Sequence, residues 1–179
     1  MKTRNYFLLL LGLCVILTAS RCKKNVGPPS DNPYGLPNAT QTGANIFACR
    51  INGQNWISKT GIFYMGASLG NDTLGITGSA GSYSFQDIII NLYKNFQQGS
   101  LYNLGDSLKG RLFYLADTSC LGAGGRGSIV TSHAVSGSLT LTRLDRTNKI
   151  FSGTFNCRIP IPKCDTLNVT DGRFDIKYY

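Results

Sequence analysis

The stretch Phe47-Ala-Cys-Arg-Ile-Asn-Gly-Gln-Asn-Trp-Ile57 decides the fold class of this 179-residue chain. It holds two short runs, residues 47–51 and 54–57, on either side of the dipeptide Asn52-Gly53. An Asn-Gly between two such runs is a strong signal for a β-hairpin, because both central turn positions need a positive φ. The stretch therefore predicts two antiparallel strands joined by a tight turn.

The chain after residue 45 continues as short runs separated by glycine-rich turns. Residues 88–90 are three isoleucines, which suit a buried strand, and residues 136–144 alternate with Leu139 and Leu141 on one face. Asp171-Gly172 is predicted as the final turn. About nine or ten short strands with regular turn signals predict an all-β fold, an antiparallel β-sandwich or a barrel-like sandwich.

The composition agrees with a β protein and limits the function classes. There are 21 glycines and no glutamate, and only 15% of the residues are charged; glutamate is a strong helix former, so a helical bundle is not expected. The net charge is +9, which can indicate nucleic-acid binding. The cations are scattered, however, and the densest group, Arg143, Arg146 and Lys149, falls at a predicted hairpin tip. We therefore expect no nucleic-acid partner.

The N-terminus has the layout of a secretory signal peptide, predicted over residues 1–21. Lys2 and Arg4 precede a twelve-residue apolar run, residues 6–17, and small residues follow. The run is shorter than the ~20 residues of a membrane-spanning helix. Cys22 directly follows Arg21, and a cysteine at the end of a signal peptide resembles the lipid-accepting cysteine of bacterial lipoproteins, which becomes the new N-terminus. The alternative is an ordinary cut after Ser20, which would release a soluble protein.

Residues 22–45 are predicted to be a lipid anchor followed by a tether. Four of the six prolines lie in this segment, with several glycines among them. Proline favours extended chain and removes a backbone donor. We therefore expect a semi-extended spacer, with the β-sandwich domain occupying residues 46–179.

Several segments together carry a resemblance to a known family. The chain resembles a group of small uncharacterised lipoproteins from Bacteroidota-type bacteria, and it departs from their pattern at Arg21, Cys157 and Cys164. The resemblance implies export, lipid anchoring and a β-rich domain, and it implies no activity. The matching segments are Cys22-Lys-Lys24, Leu36-Pro-Asn-Ala-Thr-Gln-Thr-Gly-Ala-Asn45, Phe47-Ala-Cys49, Asn52-Gly53, Trp56, Ser136-Gly-Ser-Leu-Thr-Leu-Thr142, Gly153-Thr-Phe155 and Asp171-Gly-Arg-Phe-Asp175.

Four cysteines remain for disulfides if Cys22 carries lipid. An even number in an exported chain suggests bridges, and three pairings are open. Cys157 and Cys164 flank a proline-containing loop and form the favoured pair, which leaves Cys49 with Cys120. The alternative for Cys49 is a buried small apolar side chain. There is no Cys-x-x-Cys and only one histidine, His133, so we expect no metal site and no cofactor.

Candidate residues for chemistry are few. A glycan hydrolase would need two carboxylates, and Asp171 with Asp175 is the candidate pair, although both also suit a turn. Trp56, the only tryptophan, is a candidate platform for sugar rings, with core packing as the favoured alternative.

The sequence thus predicts a membrane-anchored lipoprotein of the cell envelope, in the outer membrane and facing the periplasm or the cell surface. Its domain is expected to be non-catalytic, binding an unidentified protein or glycan or serving as a structural component. A periplasmic glycan hydrolase using paired aspartates is the alternative.

Overall fold

A computed structural model describes residues 32, 34–62, 64–80, 87–106, 110–117, 129–162 and 165–178. Within these residues the chain forms eleven β-strands and no helix. The strands are β1 (Ile46–Ile51), β2 (Gln54–Ile57), β3 (Met65–Leu69), β4 (Thr73–Ser79), β5 (Asp87–Tyr93), β6 (Leu101–Asn103), β7 (Gly110–Asp117), β8 (Ile129–His133), β9 (Ser136–Asp145), β10 (Ile150–Ile159) and β11 (Leu167–Lys177).

The strands form two antiparallel sheets packed face to face. Sheet A has the order β2-β1-β11-β10-β9-β6, and sheet B has the order β3-β4-β5-β7-β8. One apolar cluster takes buried side chains from both sheets, including Leu139 of sheet A and Ile90 of sheet B. This architecture confirms the predicted all-β antiparallel sandwich.

The hairpin predicted at Asn52-Gly53 is present and starts the core. Asn52 and Gly53 have φ values of 49° and 81°, and β1 pairs with β2 around them. Phe47 and Trp56 meet edge to face with ring centroids 5.6 Å apart. The Phe47 ring lies against Gly78 of sheet B, where a β-carbon would approach ring atom Cε1 to 2.8 Å. Glycine at this position lets the two sheets close over Phe47.

A β-bulge replaces the turn predicted at Asp171-Gly172. Thr170 pairs with Arg50, but Arg173 pairs with Ala48, so β11 holds one extra residue between them. Asp171 takes the left-handed conformation, with a φ of 54°, as the inserted residue of a bulge can. The prediction of a turn between two strands was wrong here, because a bulge uses the same residue types as a turn. The extra residue also moves Asp175 to the sheet face opposite the core.

The domain begins earlier than the sequence predicted. Residues 34–179 form one compact unit, and Leu36 is buried. We call residues 34–45 the N-terminal strap. The compact unit therefore starts about a dozen residues before the predicted boundary at residue 46, because proline and glycine are also compatible with a packed, irregular segment. The segment earlier predicted as tether is thus part of the domain from residue 34 onward.

The predicted leader and lipid site, residues 1–21 and Cys22, lie outside the described residues. Among the residues that the structure does describe, no helix has the length and apolar character needed to cross a membrane.

Candidate functional site

Asp175 is the most heavily engaged carboxylate among the described residues. Its neighbours Phe174 and Ile176 are buried in the core, so the Asp175 side chain points to the outer face of sheet A. It is nevertheless only 1% exposed, because the strap covers it. Its oxygens accept hydrogen bonds from Thr40 Oγ1 at 2.6 Å, Thr42 N at 2.9 Å, Gly43 N at 2.9 Å, Ala44 N at 3.0 Å and Ser152 Oγ at 2.7 Å.

These contacts set the charge state of Asp175. Burial by itself raises the pKa of the carboxyl. The hydrogen bonds from the Ala44 N–H, the Thr40 and Ser152 hydroxyls and the Gly43 N–H stabilise the charged form and together outweigh burial, so the pKa falls to about 2. Asp175 is therefore an ionised, fully engaged anchor for the strap at neutral pH. A carboxylate in this state has neither the exposed oxygen nor the raised pKa that a general acid needs.

Further side chains of sheet A hold the rest of the strap. Most of these bonds join a side chain to a strap carbonyl, so they fix the backbone path whatever the strap side chains are. The guanidinium carbon of Arg50 also lies 3.7 Å from the centre of the Tyr34 ring. Asn55 donates to the carbonyl of Tyr34, Arg173 donates to the carbonyl of Pro37, and Arg143 donates to the carbonyl of Gln41.

Asp171, the other member of the predicted carboxylate pair, does not join Asp175. Asp171 is exposed at the bulge and accepts a hydrogen bond from Thr170 Oγ1 at 2.9 Å. Four residues of extended strand, about 13 Å, separate the two positions. No hydrogen-bond partner is shared by the two carboxylates among the described contacts. The arrangement therefore does not bring these two residues together as an acid and a base.

Trp56 belongs to the core, as the favoured alternative predicted. It is only 5% exposed and lies against Phe47. A stacking platform needs an exposed ring face, so the buried position of Trp56 does not support its candidate role in binding sugar rings. Its indole Nε1 is buried without a hydrogen-bond partner among the described groups.

Two of the four candidate disulfide cysteines are described. Cys49 and Cys157 are both buried free thiols, and Cys120 and Cys164 lie outside the described residues. Burial raises the pKa of Cys157 to about 12. Burial, together with the nearby Cys157, also raises the pKa of Cys49. Both thiols are therefore protonated at neutral pH and poor nucleophiles. The proposed pairings Cys157–Cys164 and Cys49–Cys120 stay predictions.

A polar groove on the outer face of sheet A is the candidate binding site. It has a volume of about 320 Å³ and crosses β9, β10 and β11. Cys157 and Val169 point into the core, so their strand neighbours point outward into this groove. The polar side chains that line it are Ser136, Asn156, Arg158, Asn168 and Thr170.

The groove contains hydrogen-bond donors, hydrogen-bond acceptors and one positive charge. Asn156 donates from Nδ2 to Ser138 Oγ at 3.0 Å, which fixes the amide and leaves its oxygen as an acceptor. Arg158 is exposed, and no carboxylate forms an ion pair with it in the described part of the chain. Gly137 at the groove edge has a φ of 147°, and a β-carbon there would overlap the backbone of β10. A side chain at residue 137 would therefore disturb the pairing that shapes the groove.

The sequence missed both the strap anchor and the groove. Asp175 and the strap residue Thr40 are 135 positions apart, so no local pattern could join them. The groove residues alternate with buried ones along β10, but such alternation indicates only that one face of a strand meets solvent and does not indicate a binding site.

No other centre of chemistry is evident in the described residues. There is no group of three or more metal-binding side chains among them, and His133 is exposed at the end of β8. Comparison of this chain with family models, curated proteins and solved structures finds no match.

Proposed function

We propose that this protein is an exported lipoprotein, anchored in the outer membrane through Cys22, whose β-sandwich is a non-catalytic binding module of the cell envelope. The ligand proposed for the polar groove is a glycan. The observation that carries the proposal is the groove itself, an open surface of amides, hydroxyls and Arg158, which forms no ion pair within the described residues, on sheet A. Sugar hydroxyls both donate and accept hydrogen bonds, and the side chains of the groove supply both acceptors and donors.

The roles of the aspartates support binding over hydrolysis. Asp175 is bound to the strap, and Asp171 lies at the exposed bulge. A glycosidase commonly needs two carboxyl groups about 5–9.5 Å apart on either side of the scissile bond. The predicted pair does not supply this arrangement, so no observation favours the hydrolase.

The strap supports a role for the tether. A segment entering from Cys22 would meet the domain at residue 34, where Arg50 and Asn55 hold Tyr34. In the proposed lipoprotein the tether therefore ends near residue 33, and the strap belongs to the sandwich domain. The family resemblance, which implies export and lipid anchoring, points in the same direction.

Metabolic labelling tests the anchor. Cells expressing the full chain are grown with radiolabelled palmitate, and the protein is recovered from the membrane fraction. We expect label on the wild type and none on Cys22→Ala. An unlabelled wild type released from the membrane would refute the anchor and favour cleavage after Ser20.

Glycan-array binding tests the groove. We expect Arg158→Gln to weaken any glycan binding by about tenfold, since a charge-assisted hydrogen bond is lost. Lys149→Gln is the matched control, because it removes the same charge from an exposed turn and should bind as the wild type does. Equal binding by Arg158→Gln and the wild type would place the glycan elsewhere, and absence of any array signal would refute the glycan ligand.

A further inference from the structure

The edge of sheet B at β3 is regular, and no described strand covers it. β3 pairs only with β4, and its five residues pair in continuous register without a bulge. In the described part of the chain no strand lies on the other side of β3. A regular edge of this kind presents unpaired N–H and C=O groups to a second strand.

The pairing pattern shows which groups of β3 are open. Ser79 N donates to Tyr64 O at 2.7 Å, and Gly70 N donates to Thr73 O at 2.8 Å. Hydrogen-bonded and non-hydrogen-bonded pairs alternate in an antiparallel ladder, so the backbone groups of Ala67 and Leu69 point away from β4. These two positions, which share the same alternation, can therefore pair with an incoming strand.

The sequence of β3 lacks the usual protection against such pairing. Exposed edges are commonly guarded by charged side chains, proline, bulges or short length. Met65-Gly-Ala-Ser-Leu69 contains no charge and no proline, and it is longer than β6, an edge strand of sheet A with three residues. The small side chains at residues 66–68 leave the backbone of this edge accessible, although Ala67 packs against the core on the inner face.

A cleft opens directly beneath this edge. It has a volume of about 240 Å³ and lies between β3, the end of β11 and Asn45, the last residue of the strap. Met65 and Ala67 form its wall on the β3 side, and Ile176 forms the opposite wall. Ile62 at the rim is 81% exposed. Alternate side chains of a strand added to β3 would point toward this cleft, because side chains alternate between the two faces of a sheet.

One cation stands at the mouth of the cleft. Lys177 lines it, is exposed, and forms no ion pair with any described carboxylate. The whole chain carries a net charge of +9. Both the local and the overall charge therefore favour an acidic partner.

We propose that β3 is a docking edge for an extended, acidic segment of a partner protein, which adds a sixth strand to sheet B. One apolar side chain of that segment occupies the cleft, and a carboxylate reaches Lys177. Backbone hydrogen bonds supply the attachment, and the cleft and the cation supply selectivity, as in other cases of β-strand addition. This surface is separate from the polar groove, and the proposal does not depend on the ligand of the groove.

Selection from a phage-displayed library of random octapeptides on the full-length protein tests the proposal. We expect enriched peptides to alternate apolar residues and to carry Asp or Glu beside them. The enriched peptides are then synthesised and titrated by fluorescence anisotropy against the wild type and its variants. Failure of any peptide to enrich, or enrichment of basic peptides, would overturn the proposal.

Two protein variants and one peptide series locate the site. Ala67→Pro removes an outward N–H, a place where an edge strand tolerates proline, and should weaken peptide binding at least about tenfold. Lys177→Gln should weaken binding about threefold, whereas Lys94→Gln, on the turn after β5, should leave it unchanged.

The peptide series gives the same answer without altering the fold. N-methylation at alternate residues of the peptide should abolish binding in one register and leave it intact in the other. Binding that survives Ala67→Pro and both methylation registers would refute strand addition. Binding lost in Arg158→Gln and retained in Ala67→Pro would instead assign the peptide to the polar groove.

Discussion

Replacement of Asp175 by asparagine tests the strap most directly. The carboxylate accepts five hydrogen bonds of 3.0 Å or less, three on Oδ2 and two on Oδ1. Asparagine has one carbonyl oxygen and an NH2 group in place of the second oxygen. The NH2 group would face N–H donors of the strap, and rotation of the amide only changes which donors are left without an acceptor.

The expected loss of stability follows from the number of hydrogen bonds that asparagine cannot accept. If the carbonyl oxygen replaces Oδ2, the Gly43 N–H loses its acceptor, and the Ser152 hydroxyl can turn to accept instead of donating. One buried unsatisfied donor costs about 1–3 kcal/mol, and loss of charge assistance in the remaining bonds adds to this. We therefore expect Asp175→Asn to lower the free energy of unfolding at pH 7 by about 3 kcal/mol.

Urea unfolding of a chain beginning at residue 23, followed by tryptophan fluorescence, measures this loss. The midpoint should fall by about 1.5 M. Asp171→Asn is the matched control, because it removes the same charge from the same strand at an exposed position, and asparagine tolerates the left-handed conformation found there. The control should stay within about 0.5 kcal/mol of the wild type. Equal midpoints for Asp175→Asn and the wild type would refute the anchoring role.

The same comparison at low pH gives an independent check. The pKa of Asp175 in the fold, about 2, lies below the value of about 3.9 expected when unfolded. The ionised carboxylate therefore stabilises the fold above about pH 4, by at most about 2.6 kcal/mol, and this contribution is lost as the pH falls toward 2. The difference in free energy of unfolding between the wild type and Asp175→Asn should become smaller over that pH range. A difference in free energy of unfolding that stays constant from pH 7 to pH 2 would show that the charge of Asp175 does not contribute to stability.

Two further changes test the core. Gly78→Ala places a β-carbon against the Phe47 ring and should lower the free energy of unfolding by about 2 kcal/mol through overpacking. Gly66→Ala is the control, because its β-carbon meets no atom within 4 Å, and it should leave the thermal midpoint nearly unchanged. Similar thermal midpoints for the two variants would contradict the close packing at Phe47. Cys49 and Cys157 should resist alkylation in the folded protein and react fully in urea without reductant. Mass spectrometry of the proteolytic peptides measures the extent of alkylation at each cysteine. A requirement for reductant would favour the predicted disulfides over free thiols.

Local signals were read correctly from the sequence where the structure depends on near neighbours. Asn52-Gly53 makes a hairpin because both turn residues can take a positive φ. Leu139 and Leu141 are fully buried because strict alternation along a strand directs one face to the core. The fold class followed from such signals repeated along the chain.

Features that depend on distant residues or on irregular strands could not be read in the same way. A bulge at Asp171 has the composition of a turn, so β11 was predicted as two pieces. β8 was not predicted at all, because its five residues, Ile129–His133, follow a glycine-rich stretch and include polar Thr131 and Ser132. The strap is fixed by Asp175, and only the folded sheet brings the two together.

The position of β11 in sheet A sets an order of events for folding. β11 lies between β1 and β10, so the first strand of the sheet cannot be flanked on both sides until residues 167–177 are available. Bringing such distant segments together is slow, because loop closure loses entropy before the contacts form. In the proposed export, the early hairpin and the strap would therefore remain undocked until β11 has crossed the membrane. Sheet A would then be completed around β1 only when β11 becomes available to pair with it.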